Sequence, residues 1–476
     1  MATTTTDPST ARPGPRPAPG GRPSTGPTLR GIDPADVDAE VARRGLGTLG
    51  DDALLDLAAD VVGVPHARRA DSFGLHAPLE LLARRGLLAL AGPEDRAGIR
   101  RRLVWVAATD EAMSGPAEPV PSADHATVPD ALAALGPALA AGDLDAVDAT
   151  TAWLARWATV SDLEPLGGPL GPRLGAAGHA PILVELAART APRSRPAVGL
   201  LRAPAHELAR DPDMVLRWVD EVPLAGDGDV GGLLDGLAGL PQLGVPGSTF
   251  VFPLMHQVDG GLAADALGPH LGPGTDVAAV GRALGRVAAW SMLVDDPAHA
   301  PYGWTHALTM AQAVVQLAPR SADPVRTVAT AASHVAGYRA GLGSADLVAA
   351  VAAGTFGDPA RVGNDAAPAP EALGIDPAVT AVAAVEGIGA VVDALDDAPA
   401  TAAAAVVGLP EADVAAVVAL LAGRGGSHPD AHVAKYVLAS IDAGHRDPVW
   451  ARLHLAAAAS LVAWWSAAGV DDPMAG

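Results

Sequence analysis

The sequence contains no cysteine among its 476 residues. This absence excludes disulfide bonds, cysteine-ligated zinc, iron–sulfur clusters and any cysteine nucleophile. Aromatic residues make up only 3% of the chain, and the alternating Val, Ile, Thr, Tyr and Phe patterns typical of strands are scarce. A metal site in this protein would therefore depend on histidine, carboxylates or a less usual ligand.

The chain also contains few positively charged residues. The chain has 32 Lys and Arg against 54 Asp and Glu, which gives a net charge of −22. Such a surface repels phosphate backbones and anionic lipid, which argues against nucleic-acid and membrane partners. No uncharged apolar run is long enough to span a bilayer, and the amino-terminal segment lacks the apolar stretch of a secretory signal. We therefore expect a soluble, cytoplasmic protein.

The sequence pattern favours an all-α fold. Ala-, Leu- and Val-rich segments such as 400–421 have the apolar period of helices, and only residues 243–252 resemble a strand. Residues 1–30 are rich in Thr, Pro, Gly and Ser and predict a disordered tail. Residues 31–476 predict one large multi-helix domain, with a two-lobed arrangement divided around 160–175 as the alternative.

The chain contains a single lysine, Lys435, and every other basic residue is arginine. Arginine is permanently charged, whereas a desolvated lysine can lose its proton and then act as a nucleophile or become carboxylated. A lone lysine therefore suggests a position at which arginine would not serve. The alternative is that this lysine arose by neutral drift.

Five of the 14 histidines lie in apolar surroundings at or near predicted helices: His76, His179, His306, His334 and His432. In two of these settings a proline follows two residues after the histidine, which suits the first turn of a helix and places the imidazole at its amino-terminal end. Thr305 is expected to cap a helix over 307–317, which would place His306 in that helix's first turn. One such histidine is usually a packing residue, but their recurrence favours a shared site. His206, which precedes Glu207, is expected on an exposed face.

The segment from Ser427 to Leu438 brings the lone lysine close to a histidine. Ser427 and Asp430 predict a capping box for a helix on which His432 and Lys435 share one face. No acidic residue stands three or four positions from Lys435, so a neutral amine or a carbamate formed with CO₂ is easier to bury than an ammonium. His428 also pairs with His432 at a chelating spacing and stays an alternative ligand.

Motifs of several common enzyme classes are missing from the sequence. It has no His-Glu-x-x-His, no Walker loop and no Gly-x-Ser-x-Gly. Gly226, Gly228 and Gly231 form a Gly-x-Gly-x-x-Gly pattern, but no predicted strand precedes them. We therefore interpret these glycines as a loop and not as a dinucleotide site.

The segment Asp430-Ala431-His432-Val433-Ala434-Lys435, followed by a helix to Trp465, resembles the Asp-x-His-x-x-Lys region of the questin oxidase-like family. The helix bearing His76, the helix start at His179 and the segment Thr305–Thr309 are similar to the family's other histidine-bearing segments. The resemblance is scattered over about residues 70–465. The sequence departs from the fungal members in its two His-Ala-Pro motifs.

The resemblance implies an all-α oxygenase that uses O₂ to cleave, or to insert oxygen into, aromatic polyketides such as anthraquinones. It implies a mononuclear non-haem Fe(II) site with a carboxylated lysine. Whether NADPH serves as reductant stays open. Carried over residue by residue, the imidazole ligands would be His76, His179, His306 and His432, with His334 in reserve. Lys435 would supply the carbamate, and His432 and Lys435 would be the catalytic residues.

Two other functions remain open from the residues. A hydrolase with a carbamylated lysine bridging two metals would use the same lysine, but such sites usually carry a His-x-His pair, which this chain lacks. A non-catalytic helical scaffold would explain the histidines as core residues and Lys435 as drift. The metal content of the purified protein distinguishes these functions: one iron, two zinc ions or none.

Overall fold

The fold is known from a computed structural model, which describes residues 27–66, 70–117, 121–246, 251–359, 369–396, 398–469 and 472–474. Helices account for 74% of the chain and form one multi-helix body, and the described residues contain no strand. The all-α prediction is therefore confirmed. The strand-like expectation for 243–252 is wrong where the structure describes it, because Val251 begins a helix and the residues just after Leu243 are irregular.

Among the described residues, the first half of the chain contributes twelve α-helices: α1 Val37–Arg43, α2 Asp51–Val62, α3 Ser72–Leu88, α4 Pro93–Ser114, α5 Val128–Ala141, α6 Leu144–Trp157, α7 Gly167–Leu170, α8 His179–Thr190, α9 Pro196–Gly199, α10 Arg202–Arg210, α11 Trp218–Glu221 and α12 Val230–Ala238. The described part of the second half contributes twelve more: α13 Val251–Asp259, α14 Leu262–Leu267, α15 Val277–Val294, α16 Thr305–Leu317, α17 Pro324–Leu342, α18 Leu347–Ala352, α19 Pro377–Glu386, α20 Ile388–Ala394, α21 Pro399–Gly408, α22 Val414–Ser427, α23 Ala431–Arg446 and α24 Ala451–Ala468. Short 3₁₀ turns connect several of them, and one π-helical turn, Ala300–Trp304, leads into α16.

Side-chain caps start many of these helices where the sequence places Asp or Thr before an apolar stretch. Asp71 accepts a hydrogen bond from the backbone of Gly74 at the start of α3, and Asp276 does the same for two residues of α15. Gly142 separates α5 from α6 with a left-handed φ of 66°, a conformation that favours glycine. Gly142 therefore ends α5 and allows the chain to turn into α6.

Four long helices form the centre of the body. α3 packs against α8, α8 against α16, α16 against α23, and α23 against α3, so the four close into a ring. At Gly86 of α3, an added Cβ would approach within 2.5 Å of Leu438 of α23, which shows how closely these two backbones pack. The ring brings the inner faces of four sequence-distant segments together.

Two further features concern the edges of the domain and its most apolar helix. Leu29 is buried and Arg30 donates a hydrogen bond to the backbone carbonyl of Asp60 at 2.7 Å, so the folded body begins before residue 31. Of the tail predicted for residues 1–30, residues 1–26 lie outside the described residues. α15 is long and apolar enough to cross a membrane, but 72% of it is buried inside the body.

Candidate metal centre

Each helix of the central ring carries one of four buried histidines on its inner face. They are His76 on α3, His179 at the start of α8, His306 on α16 and His432 on α23. None is more than 8% exposed. The ring of helices thus gathers imidazoles from across the chain at one point.

The imidazoles converge closely enough to share an ion. His76, His306 and His432 each offer a ring nitrogen, and these atoms all lie within 4.8 Å of one another. His179 completes the cluster, with its Nε2 3.1 Å from the Nε2 of His306. Nitrogen donors about 2.1 Å from one ion stand about 3 Å apart when they are adjacent ligands. The spacing therefore fits either a direct hydrogen bond or two donors on one cation.

Three of the four imidazoles are oriented by an acceptor that fixes which nitrogen faces the cluster. The Nδ1 of His76 lies 2.5 Å from the carbonyl of Ser72, and the Nδ1 of His306 lies 2.5 Å from that of Tyr302. The Nδ1 of His432 lies 2.9 Å from the carboxylate of Asp430. Because these partners can only accept, each Nδ1 carries the proton and each Nε2 presents a lone pair. Metal-binding histidines are held in the same way.

The turn before His179 has left-handed backbone angles, and it places His179 in the cluster. Ala176 and Ala177 adopt left-handed φ angles of 49° and 53°, and Gly178 follows at 67°. A left-handed conformation costs a non-glycine residue about 1–2 kcal/mol. An added Cβ at Gly178 would also approach the Met310 side chain of α16 within 2.4 Å. This strained turn sets the first residue of α8 against α16.

Lys435 lies on the same helix as His432, is 2% exposed, and its Nζ has no hydrogen-bond partner. Burial lowers the pKa of its amine from 10.5 to about 7, although the carboxylates of Asp430 and Glu80 act in the opposite direction. The sequence indicated no acidic partner on the lysine's own helix face. The two carboxylates come instead from the residue before α23 and from α3, and neither bonds to the amine.

The imidazoles are held neutral. Burial lowers the pKa of all four, to about 3 for His306 and well below the usual range for His76, His179 and His432. After burial, the strongest influence on each is the positive charge of Lys435. The lysine is therefore electrostatically coupled to all four imidazoles, and the cluster presents neutral nitrogen donors.

A buried ion pair behind the cluster holds the loop that leads into α23. Arg84 of α3 pairs with Glu80 one turn earlier, and both side chains are almost fully buried. The guanidinium also donates to the backbone carbonyls of Gly426 and His428, the latter at 2.6 Å. Asp430, two residues further on, caps α23 by accepting from the His432 backbone at 2.6 Å. This network fixes the position of both Asp430 and His432.

Aromatic rings line the solvent side of the cluster. The Tyr302 ring is 49% exposed and stands edge-on to His432, with ring centroids 5.0 Å apart. Trp465 of α24 lies 6.1 Å from Tyr302 and 5.6 Å from His428. Flat aromatic rings therefore stand beside His432 where Tyr302 is exposed.

The structure brings together all five residues that the resemblance selects: His76, His179, His306, His432 and Lys435. The two alternative histidines fall outside the converging set. His334 of α17 is fully buried and acts on the pKa of His306, but its nitrogens are not among those that converge. The Nδ1 of His428 accepts from the backbone of Asp430 at 3.0 Å.

Several local predictions around the site are wrong. α3 begins at Ser72, so His76 lies in its second turn and Pro78 lies within the helix. Thr305 is not a cap, because its hydroxyl donates to the Pro301 carbonyl of the preceding π-helical turn. Ser427 ends α22 and does not form the capping box, which leaves Asp430 as the cap of α23.

Other functional features were missed from the sequence. The orienting role of Asp430 toward the His432 ring and the contact of Tyr302 with the cluster were not predicted. The i,i+4 spacing of Glu80 and Arg84 was a usable signal for their ion pair. His206, expected on an exposed face, is 4% exposed and pairs with Asp148.

A scan against models of protein families, a search of curated proteins and a search of solved structures each return no match for this chain.

Proposed function

We propose that the cluster of four histidines and Lys435 binds one Fe(II) ion and that the protein is an oxygenase acting on an aromatic polyketide of the hydroxyquinone or anthraquinone type. The observation that carries this proposal is the convergence of neutral imidazoles from four helices on one point beside the chain's only lysine. The resemblance to questin oxidase-like proteins supplies the reaction class.

The residues present fit such an ion. The Nε2 of His76 and the Nζ of Lys435 are buried polar atoms without hydrogen-bond partners, and leaving such atoms unpaired is costly. Four neutral imidazoles suit a divalent transition metal. Asp430 and the carbonyls of Ser72 and Tyr302 already hold three of the rings in the tautomer that a metal requires.

Lys435 would complete the donor set as a carbamate. Its amine, with a pKa of about 7, is neutral in a large share of molecules near physiological pH, and the neutral amine is the form that reacts with CO₂. The reaction forms a C–N bond and releases one proton, which converts the neutral amine into an anionic oxygen donor. That change offsets one of the two positive charges of a divalent ion, where no Asp or Glu of the described cluster does so.

When bound, Fe(II) would supply a place where O₂ and a deprotonated hydroxyquinone can be brought together. The residues of this chain would hold the substrate and keep the ligands oriented. Tyr302 and Trp465 would hold a flat ring at the open side of the cluster, because such rings favour stacked or edge-on aromatic contacts. Asp430 would keep His432 oriented, and the Glu80–Arg84 pair would keep the loop before α23 in place.

Metal analysis of protein produced in iron-supplemented medium tests the proposal. We expect one iron per chain. Substituting Ala for any of His76, His179, His306 or His432 should cut the bound iron sharply. His334→Ala is the matched control, because it removes an equally buried imidazole outside the converging set. Loss of iron in His334→Ala, with retention in His306→Ala, would contradict the ligand assignment.

Lys435 is tested separately. Lys435→Arg should abolish iron binding as fully as Lys435→Ala, because a guanidinium can neither ligate a metal nor be carboxylated. Stripping CO₂ before metal loading should lower iron uptake by the wild type, and bicarbonate should restore it. Retention of iron by Lys435→Arg would show that the lysine is not a ligand.

The same measurements separate the alternatives. Two zinc ions per chain would favour a carbamyl-lysine metallohydrolase, and no metal would favour a non-catalytic helical scaffold. O₂ consumption with a hydroxyanthraquinone, measured with and without NADPH, establishes whether the reaction draws on an external reductant.

A further inference from the structure

A second cluster of buried titratable groups lies outside the histidine ring, in a pocket between the start of α3, the end of α4 and α10. The pocket has a cavity volume of about 40 Å³ and opens to solvent. Its polar lining includes His206, Asp110 and His66, and its apolar walls include Phe73 and Met113. None of these residues belongs to the proposed iron site, and we refer to this space as the dyad pocket.

The dyad is the hydrogen-bonded pair of His206 and Asp148. The Nδ1 of His206 lies 2.8 Å from a carboxylate oxygen of Asp148, and the two residues are 4% and 5% exposed. A carboxylate only accepts, so Nδ1 carries a proton, and in the neutral ring Nε2 is the acceptor. That Nε2 is buried, has no hydrogen-bond partner, and belongs to a residue that lines the pocket. His206 is thus oriented by Asp148, and its Nε2 is free to bond to a ligand.

Asp110 supplies a second acceptor on the opposite helix. It is 4% exposed, and burial raises the pKa of its carboxyl to about 7, with the Ser114 side chain acting against that rise. Two further carboxylates line the pocket but already have partners: Asp71 accepts from Gly74, and Glu207 accepts from Ala70 and Arg210. Among the described residues that line the pocket there is no Lys or Arg.

The apolar side of the pocket is equally defined. Phe73 lies at the start of α3, and its ring packs edge-on against Trp105 of α4, with centroids 5.9 Å apart. Met113, near the end of α4, is 44% exposed and stands at the open side. A ligand would therefore meet acceptors at the buried end and hydrocarbon near the opening.

The described donors of this pocket do not converge closely enough to hold a metal ion. Within the described residues, the one set of three His, Asp or Glu donors that converges within 4.8 Å is the histidine cluster of the central ring. Within the described lining an anion would face three carboxylates, those of Asp71, Asp110 and Glu207. A neutral alcohol could donate to His206 but would leave a buried Asp110 carboxylate without a countercharge.

We propose that the dyad pocket binds a small organic amine, whose ammonium donates hydrogen bonds to the Nε2 of His206 and to the carboxylate of Asp110 and whose hydrocarbon part packs against Phe73 and Met113. An ammonium satisfies the unpartnered Nε2 of His206 and compensates the buried carboxylate of Asp110, which also has a side-chain hydrogen bond with Ser114. The strongly acidic chain would also attract a cation toward the opening.

Titration calorimetry with three probes of the same shape tests this site: phenethylamine, phenylethanol and phenylacetate, at about pH 8, where the amine is protonated. We expect phenethylamine to bind with a stoichiometry of one and phenylacetate not to bind. Equal or tighter binding of phenylacetate or of phenylethanol would overturn the proposal. So would the absence of phenethylamine binding at about 10 mM, an affinity below that of most specific sites.

Substitutions locate the binding. Asp110→Asn and His206→Leu should each weaken phenethylamine binding by at least about tenfold, the effect of losing one charge-assisted hydrogen bond. His125→Leu, near the separate Trp153 surface, is the control and should bind as the wild type does. Unchanged affinity in both pocket variants would overturn the proposal.

Imidazole NMR signals provide a readout that does not depend on the folding of a variant. On titration of wild-type protein with phenethylamine, the ring signals of His206 and His66 should shift, while that of His334 should not. Shifts confined to other histidines would place the amine elsewhere and overturn the assignment. Because no residue of the dyad pocket is a proposed iron ligand, these results are independent of the iron measurements.

Discussion

Replacing Lys435 with methionine in the metal-free protein would measure how strongly the fold disfavours a buried ammonium. Methionine fills a similar volume without a titrating group. The pKa of the lysine falls from 10.5 in the unfolded chain to about 7 in the folded one. One pKa unit corresponds to about 1.4 kcal/mol of free energy. The variant should therefore be the more stable protein wherever the lysine is charged in the folded state.

The pH dependence has a defined direction. Below about pH 7 both the folded and the unfolded wild type hold the proton, so the full destabilisation by the buried charge is present. Between pH 7 and 10.5 only the unfolded chain holds it, so the wild type's free energy of unfolding rises by about 1.4 kcal/mol per pH unit. The advantage of Lys435→Met should accordingly shrink by about 2–3 kcal/mol between about pH 7 and about pH 9.

Urea denaturation of both proteins at several pH values measures this difference. The buffers should contain a chelator and be free of CO₂, so that neither an ion nor a carbamate contributes. Arg424→Met, which removes an exposed cation, is the control and should differ from the wild type by an amount that does not change with pH. A Lys435→Met advantage that stays constant from about pH 7 to about pH 9 would refute the assigned burial of the amine.

Three further perturbations have expected outcomes. Ala177→Gly should raise the free energy of unfolding by about 1 kcal/mol, because it relieves a left-handed alanine; thermal unfolding measures this, and destabilisation would contradict the strained turn. Arg84→Met should destabilise the fold by about 3–5 kcal/mol by leaving Glu80 buried and unpaired, and the double variant with Glu80→Leu should lose less; urea denaturation in which the two effects simply add would count against the pairing. Asp110→Asn should gain free energy of unfolding relative to the wild type as pH rises from about 4 to 7. Burial raises the pKa of the folded carboxyl to about 7, so the wild type loses up to about 4 kcal/mol of free energy of unfolding over that range. A difference in free energy of unfolding that is independent of pH would contradict that pKa.

The parts of this structure that depend on local sequence were predictable. Helical periodicity predicted the all-α body, and the described residues contain no strand. The apolar settings of His76, His179, His306 and His432, together with the uniqueness of Lys435, selected residues that the fold does bring together.

Contacts between distant segments were beyond the sequence pattern. Nothing local to α3 indicates that Arg84 reaches the carbonyl of His428, and the start of α3 is set by Asp71 rather than by the proline that suggested a later one. Likewise, His206 follows a polar pattern, but Asp148 from α6 covers it. Such pairings depend on how helices pack, which the period of a single helix does not determine.

The ring of four helices has a consequence for biosynthesis. Its histidines stand at positions 76, 179, 306 and 432, each more than a hundred residues from the next. A chain still emerging from the ribosome cannot assemble the cluster until α23, near its end, has been made and packed against α3 and α16. Partial chains offer only scattered single imidazoles, so the proposed iron site can form only in the finished fold. Any truncation before α23 would produce a protein with most of its helices and without the proposed site.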